Sequence, residues 1–336
     1  MDLGLMVGYW QGGGPWDFVS LAQQAEALGF DSVWTAEAYG SDAFSPLCWI
    51  GAHTSRIKLG TGVVQISART PASVAMTATT IDHMSNGRLI LGIGVSGPQV
   101  VEGWYGMPFA KPFTRTREFI EILHKIWKRE EPVTYDGKYY QLPYNGPGSV
   151  GLGKPLKLIT HPLRERIPIY LGAEGPKNVK LATEIGDGWL PLFFSPYRQH
   201  VYEDAISQIR TRPGFEVACT VQVVLGDDVE MCLIPVKWML AFYIGGMGAK
   251  DKNFHVNLMS RMGFEKEVLE VQRLFLEGKR AEAADAVPDQ LADEISLVGP
   301  AGRIKERLEA WKKSPVTKLL AGTQDLNALR ALAAAM

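Results

Sequence analysis

The sequence predicts a single (β/α)8 barrel, and three observations carry that prediction. Short apolar runs of strand length alternate with longer helical patterns along nearly the whole chain. The strand runs number eight, which suits a closed parallel barrel better than an open sheet. No linker, fixed-period repeat or low-complexity tract divides the 336 residues, and 46% of them are hydrophobic, so one large core can form.

The elements follow in order. Residues 3–9 read as the first strand. A helix over 15–28 follows, with Pro15 suited to its first turn and Gly29 to its stop. DSVWTA (31–36) is the second strand and 42–54 the second helix. Residues 57–64 form the third strand, 71–84 the third helix and 88–94 the fourth strand. An amphipathic helix spans 114–129. Residues 132–166 are rich in proline, glycine and tyrosine, and a loop of that length in a compact domain is commonly functional or a cover. Alternation resumes with strand 167–171, helix 176–185, strand 188–192, helix 196–210 and strand 217–225. A helical block covers roughly 228–292. Helix 299–313, strand 316–321 and helix 325–335 close the chain. The single domain thus carries two insertions, about 105–166 and 228–292, after strands four and seven.

Composition excludes several classes. Lysine plus arginine total 35 against 36 aspartate plus glutamate, so no basic surplus points to nucleic acid. Three cysteines, Cys48, Cys219 and Cys232, match no metal or redox spacing and fit a reducing cytoplasm. The first residues lack the basic and long apolar regions of a signal peptide. The apolar stretch 231–248 is interrupted by Pro235 and Lys237, which favours a buried helix over a membrane span. The six histidines show no ligand spacing, so no metal site is expected.

In such a barrel, function sits at the carboxyl ends of the strands. Glu37 follows strand two, where a carboxylate can accept a ligand N–H or move a proton; a loop salt bridge fits it too. Gly62 lies near the end of strand three, where a missing side chain permits close approach to a flat ligand or a simple bulge. After strand four, Gly92, Gly94 and Gly97 spell G-x-G-x-x-G, but Pro98 follows and no clean helix is expected there, which argues against a dinucleotide turn. YLGAEGPKNV (170–179) combines open backbone at Gly172 and Gly175 with a helix start at Pro176, a suitable anion site. Glu174 is unhelpful there unless its side chain points away. Trp189 in strand six, and Phe193 and Phe194 just past it, suit either a pocket wall or the core. With no metal set and no G-x-S-x-G elbow, this rim implies that a cofactor carries the chemistry.

The motifs resemble the luciferase-like monooxygenase superfamily, in particular its F420-dependent oxidoreductases. The resemblance spans nearly the whole chain and is clearest in AQQAEALGFDSVWTAE (22–37), LGTGVVQISARTPASVAMTATTIDHMSNGRLILGIGVSGPQVVEGW (59–104) and IPIYLGAEGPKNVKLATEIGDGWLP (167–191). It implies a cis Gly62–Val63 peptide behind the deazaflavin ring, with Gln65 at the cofactor's polar edge or tail. It places Ser96 and Gly97 along the tail, a phosphate on the amides of Gly172, Ala173, Glu174 and Gly175, and Glu37 against the cofactor. The sugar-phosphate dehydrogenases of the family carry a histidine directly after that acid and a glutamate in the strand-four loop. Here Ala38 and about Gly97 stand there, so that proton relay is absent and Glu37, or Tyr39, remains as the proton-transfer candidate.

The expectation is therefore hydride transfer between coenzyme F420 and a small organic substrate walled by Tyr9, Trp10, Phe193, Phe194 and Tyr243. Two alternatives stand beside it: an FMN-dependent monooxygenase using oxygen, and a flavin-binding protein without turnover. The resemblance also implies a homodimer; no membrane or nucleic-acid partner is expected.

Overall fold

A computed structural model describes residues 1–10, 17–248 and 253–336. Eight parallel strands close on themselves: β1 Asp2–Gly8, β2 Ser32–Thr35, β3 Lys58–Thr61, β4 Leu89–Gly94, β5 Ile169–Gly172, β6 Gly188–Leu190, β7 Glu216–Leu225 and β8 Lys318–Gly322. Each pairs with the next, β6 joins β7, and β8 returns to β1 with Leu3 opposite Leu319. Helices wrap the outside, and their starts are legible chemically. Thr70 accepts from the Ser73 amide at 3.2 Å, and Pro71 opens the helix Pro71–Met84. Asp17 caps Phe18–Ala27 in the same way through Ser20. The helix start expected at Pro15 lies outside the described residues.

Small residues let large ones fill the barrel. The interior cluster is Trp34, Ile90, Tyr170, Leu190, Ala218 and Leu320, with Met6 and Val63 lying on it. A Cβ on Gly60 would stand 2.3 Å from the Trp34 ring, and one on Gly4 would stand 2.5 Å from Leu320. Those two glycines are therefore required by packing, since cores tolerate no such overlap.

Four expectations need correction. Ser296–Gly299 is a strand, paired with the end of β7 from Gln222 to Leu225. The sequence reading passed over it because four apolar or small residues after a helical block carry no period of their own. The following helix is Ala301–Lys312, not one starting at 299. A short helix, Pro98–Gly103, does follow Gly97, because proline presets φ for a first helical turn. The third strand is also broken. It stops at Thr61, the Gly62–Val63 peptide is cis, and Val64–Gln65 then pairs with Ile93 and Gly94 of β4.

The insertions differ in build. The first holds the helix Pro112–Lys128 and a loop pinned by buried Glu118, whose carboxylate accepts from the amides of Lys138, Tyr139 and Tyr140. The second is helical: Val229–Gly246, Phe254–Met259, a π turn Ser260–Phe264, Glu265–Leu276, Arg280–Asp285 and Asp289–Glu294. Val229–Gly246 is the one described helix long and apolar enough to cross a membrane. Here it buries Leu233, Val236, Leu240 and Ile244 within the molecule's own core.

Candidate active site

The carboxyl ends of β3, β4 and β5 make a seat around one residue. A Cβ on Gly94 would approach Val63 Cγ2 to 2.6 Å, and one on Gly172 would approach Val63 Cγ1 to 3.0 Å. Two glycines thus leave room for Val63, which rests with Met6 on the interior layer. Above it opens a two-lobed cavity of about 670 Å³ and 740 Å³. Met6, Gly62, Val63, Ser96 and Thr220 belong to both lobes and form the shared floor. Each lobe is of the size that holds a cofactor or drug-sized ligand. Ser96 and Phe193, at the rim, take left-handed φ of 59° and 58°. Non-glycine residues seldom adopt that conformation, and such residues cluster at ligand sites.

The first lobe runs past Ser96 and Gly97 to Gly172, Ala173, Glu174 and Gly175. A Cβ on Gly175 would meet nothing within 4 Å, so the backbone is open to the cavity. Among the described residues, the amides of Glu174 and Gly175 have no acceptor in the protein. They stand at the start of the helix Pro176–Ile185, whose positive dipole end adds to their pull on an anion. Glu174 turns its carboxylate to His255, with Oε2 and Nδ1 2.9 Å apart.

The second lobe is lined by Tyr9, Glu37, Gln65, Phe193 and Tyr243. Glu37 is buried and heavily engaged. Its Oε1 accepts from Arg69 Nη1 at 2.6 Å and the Gln65 amide at 2.8 Å, and its Oε2 accepts from the Ala43 amide at 3.2 Å. Gln65 donates through Nε2 to the carbonyls of Glu37 and Ala38, at 3.0 and 3.4 Å. Its Oε1 is buried with no partner. A buried acceptor without a donor costs free energy until something supplies an N–H or O–H. Burial pushes the Tyr9 phenol above its usual value, Tyr39 adds to this, and the neighbouring Tyr243 hydroxyl opposes it. Tyr243 is raised far more, by burial first and then by Tyr9.

Most predicted site residues therefore meet at this mouth, and two do not. Phe194 is fully buried, packed on Tyr202, Trp189 and Trp311 in the core; its apolar ring finds neighbours behind β6 and never reaches the cavity. Trp10 lines neither lobe; it is 44% exposed and stacks on Phe18 at 6.0 Å. Trp189 also belongs to the core and donates Nε1 to the Ala173 carbonyl at 2.8 Å, bracing the anion loop from behind. Sequence reasoning missed three participants: Arg69 as the partner of Glu37, His255 beside Glu174, and Arg261, whose Nη2 donates to the Glu174 carbonyl at 3.1 Å.

A family model for luciferase-like monooxygenases matches residues 6–318. The chain belongs to the luciferase-like monooxygenase family. It is 50% identical, over 99% of its length and 98% of the relative's, to a Mycobacterium tuberculosis protein provisionally named a coenzyme F420-dependent oxidoreductase. Among solved structures, the coenzyme F420-dependent tetrahydromethanopterin reductase of Methanopyrus kandleri superposes with a TM-score of 0.80 at 23% identity, covering 99% of this chain and 97% of that one. An F420-dependent secondary alcohol dehydrogenase, solved with an F420–acetone adduct, gives 0.73 at 20% identity, covering 100% and 98%. At those identities the two structures speak for the fold. This luciferase-like family member is an enzyme of the same closed-barrel build.

Proposed function

We propose that this enzyme transfers a hydride between coenzyme F420 and a small organic substrate bearing a C=O, C=C or C=N bond. The observation that carries the reading is the continuous cavity over Val63, which ends on one side in the open amides of Glu174 and Gly175 and meets the unpartnered Gln65 Oε1 on the other. The relative at 50% identity supports F420 as the redox group. The residues present fit that group. Val63 gives a flat apolar seat, Gln65 Oε1 awaits a ring N–H, and the Gly172–Gly175 loop offers amides to a phosphate.

When bound, the deazaflavin gives or takes the hydride. The chain supplies position, exclusion of water and a proton. Glu37 spends its oxygens on Arg69 and two amides, so in this reading it fixes the wall that carries Gln65. Tyr9 is the proton carrier: its phenol lines the second lobe beside Tyr243, where a substrate heteroatom can accept its hydrogen. Its raised pKa keeps that hydrogen in place through neutral pH. The substrate lies in the second lobe between Tyr9, Phe193 and Tyr243.

Side-by-side titration of the purified protein with F420 and FMN tests the reading. F420 should saturate one site per chain and bind at least about tenfold more tightly than FMN, about 1.4 kcal/mol. Tighter binding of FMN, with oxygen-dependent turnover, would replace the reading with a monooxygenase. Binding of F420 with no oxidation of its reduced form by enones, imines or aldehydes would leave a carrier protein.

A further inference from the structure

The loop assigned to the phosphate contains an acid, and this is electrostatically awkward. Among the described residues, the first lobe is lined by Glu174 and by no lysine or arginine. An anion arriving at the Gly172–Gly175 amides meets that carboxylate, and like charges at close range oppose each other. The second insertion supplies the answer from behind. The helix Phe254–Met259 brings His255 Nδ1 to 2.9 Å from Glu174 Oε2, and the π turn Ser260–Phe264 brings Arg261 to the Glu174 carbonyl at 3.1 Å. The His255 ring is held there edge-on by Phe193 at 5.5 Å and Tyr243 at 5.0 Å.

This cluster is poorly satisfied as it stands. Glu174 Oε2, His255 Nδ1, Arg261 Nε and Tyr202 Oη are all buried without a hydrogen-bond partner. The Glu174 carboxylate and the His255 ring stand at ion-pair distance, a charge pair when the imidazole carries its second proton, and they are not aligned as a hydrogen bond. Buried polar atoms without partners are uncommon, and three of these belong to the Glu174–His255–Arg261 group at the anion loop.

We infer that His255 and Arg261 are charge-balancing residues of the anion site, delivered by the second insertion to neutralise Glu174 so that the Gly172–Gly175 loop accepts a phosphate. The inference rests on the F420 reading and adds to it a role for the insertion. His255 holds the Glu174 carboxylate turned away from the amides, and Arg261 sets the loop carbonyl and adds positive potential. Both act through Glu174 and the loop and are positioning residues.

The test compares ligands with and without phosphate on the same proteins. Affinity for F420 and for its phosphate-free deazaflavin riboside core is measured by fluorescence for the native chain, His255→Gln, Glu174→Gln and the double variant. Inorganic phosphate, followed by phosphorus NMR line broadening, forms an arm that needs no cofactor. Thermal melts confirm that each variant folds. His255→Gln should weaken F420 and phosphate about tenfold while leaving the riboside core within about twofold. Glu174→Gln should tighten the phosphate-bearing ligands, and the double variant should recover what His255→Gln loses, because no carboxylate then remains to be neutralised. Equal losses for both deazaflavins, or no recovery in the double variant, would overturn the inference. If His255→Gln does not fold, an unchanged or weakened phosphate affinity in Glu174→Gln overturns it instead. Failure of the native chain to bind either deazaflavin, with the phosphate pattern intact, would reject the F420 reading and keep the charge balance.

Discussion

At the amino-terminal end of the barrel, the Lys318 side chain is fully buried and faces Asp31, Asp2 at 3.4 Å and Glu216 at 3.7 Å. Tyr170 closes the same cluster by bonding Glu216, and Lys58 adds a second cation to Asp31 at 2.9 Å. At the carboxyl-terminal end, Gln65 is just as buried and yet leaves Oε1 without a donor, while the Glu174–His255–Arg261 cluster leaves three more polar atoms unpaired. The same eight strands run through both ends. The base pairs its buried charges internally, which serves the fold. The mouth leaves pairing capacity unused, and a ligand that enters the cavity can complete it. The barrel rule that stability lies below and chemistry above thus has a concrete form here, in which atoms are paired and which are not.

The sharpest way to break this contrast is to remove the base cation. Lys318→Met leaves Asp31, Asp2 and Glu216 facing one another without it. Breaking a buried pair costs roughly 3–5 kcal/mol, and the lower end applies here because the three carboxylates keep some contact with water. Chemical denaturation should therefore show a loss of about 3 kcal/mol, with F420 affinity within about twofold of native at temperatures where the variant is folded. A fall in affinity that tracks the loss of stability would mean the two ends are not independent.

At the mouth the largest expected effect is on rate. Tyr9→Phe removes the hydroxyl assigned to proton transfer and should slow turnover about 100-fold, with little change in stability or in F420 affinity. Because burial and Tyr39 raise the Tyr9 phenol, the native enzyme should keep its activity up to and beyond pH ~10, the usual tyrosine value, and lose it as the phenol ionises. Tyr39 and Tyr243 face the same hydroxyl, so Tyr39→Phe and Tyr243→Phe serve as controls that should keep the alkaline limb if Tyr9 carries it. A Tyr9→Phe enzyme with native turnover and the same alkaline limb would return proton transfer to Glu37 or to water.

What was legible in the sequence follows from the range of each interaction. The strands and helices were readable because they rest on local periodicity and on proline and glycine at their ends. Gly62, Gly94 and Gly172–Gly175 were readable because an absent side chain at a strand end has few uses. Ser296–Gly299 was not, since four residues define no period and its partner Gln222–Leu225 lies across a helical insertion. Arg69 could not be paired with Glu37, because the two lie 32 residues apart. Arg261 reaches back 87 residues to Glu174, a contact that only the closed barrel and the folded insertion create. Phe194 shows the limit from the other side. It neighbours Phe193 in sequence, but the left-handed backbone at Phe193 sends that ring to the cavity while Phe194 packs into the core.

Gln65 offers the smallest and most discriminating change. Gln65→Met keeps the length of the side chain and removes both of its polar functions. Loss of the Nε2 bonds to the Glu37 and Ala38 carbonyls should cost about 1 kcal/mol of stability. Loss of Oε1 should cost F420 a further factor of about 5–10 in affinity, because a ring N–H then enters the cavity with no acceptor. Any FMN that binds should be weakened by the same factor, since both rings carry the same N–H edge, so the ratio of the two affinities should not move. The riboside core should lose as much as F420 does, which separates this contact from the charge balance at Glu174. If Gln65 were only a brace for the Glu37 loop, the affinity loss would instead shrink as cooling restores stability. A loss that persists under stabilising conditions would place the orphaned oxygen on the ligand.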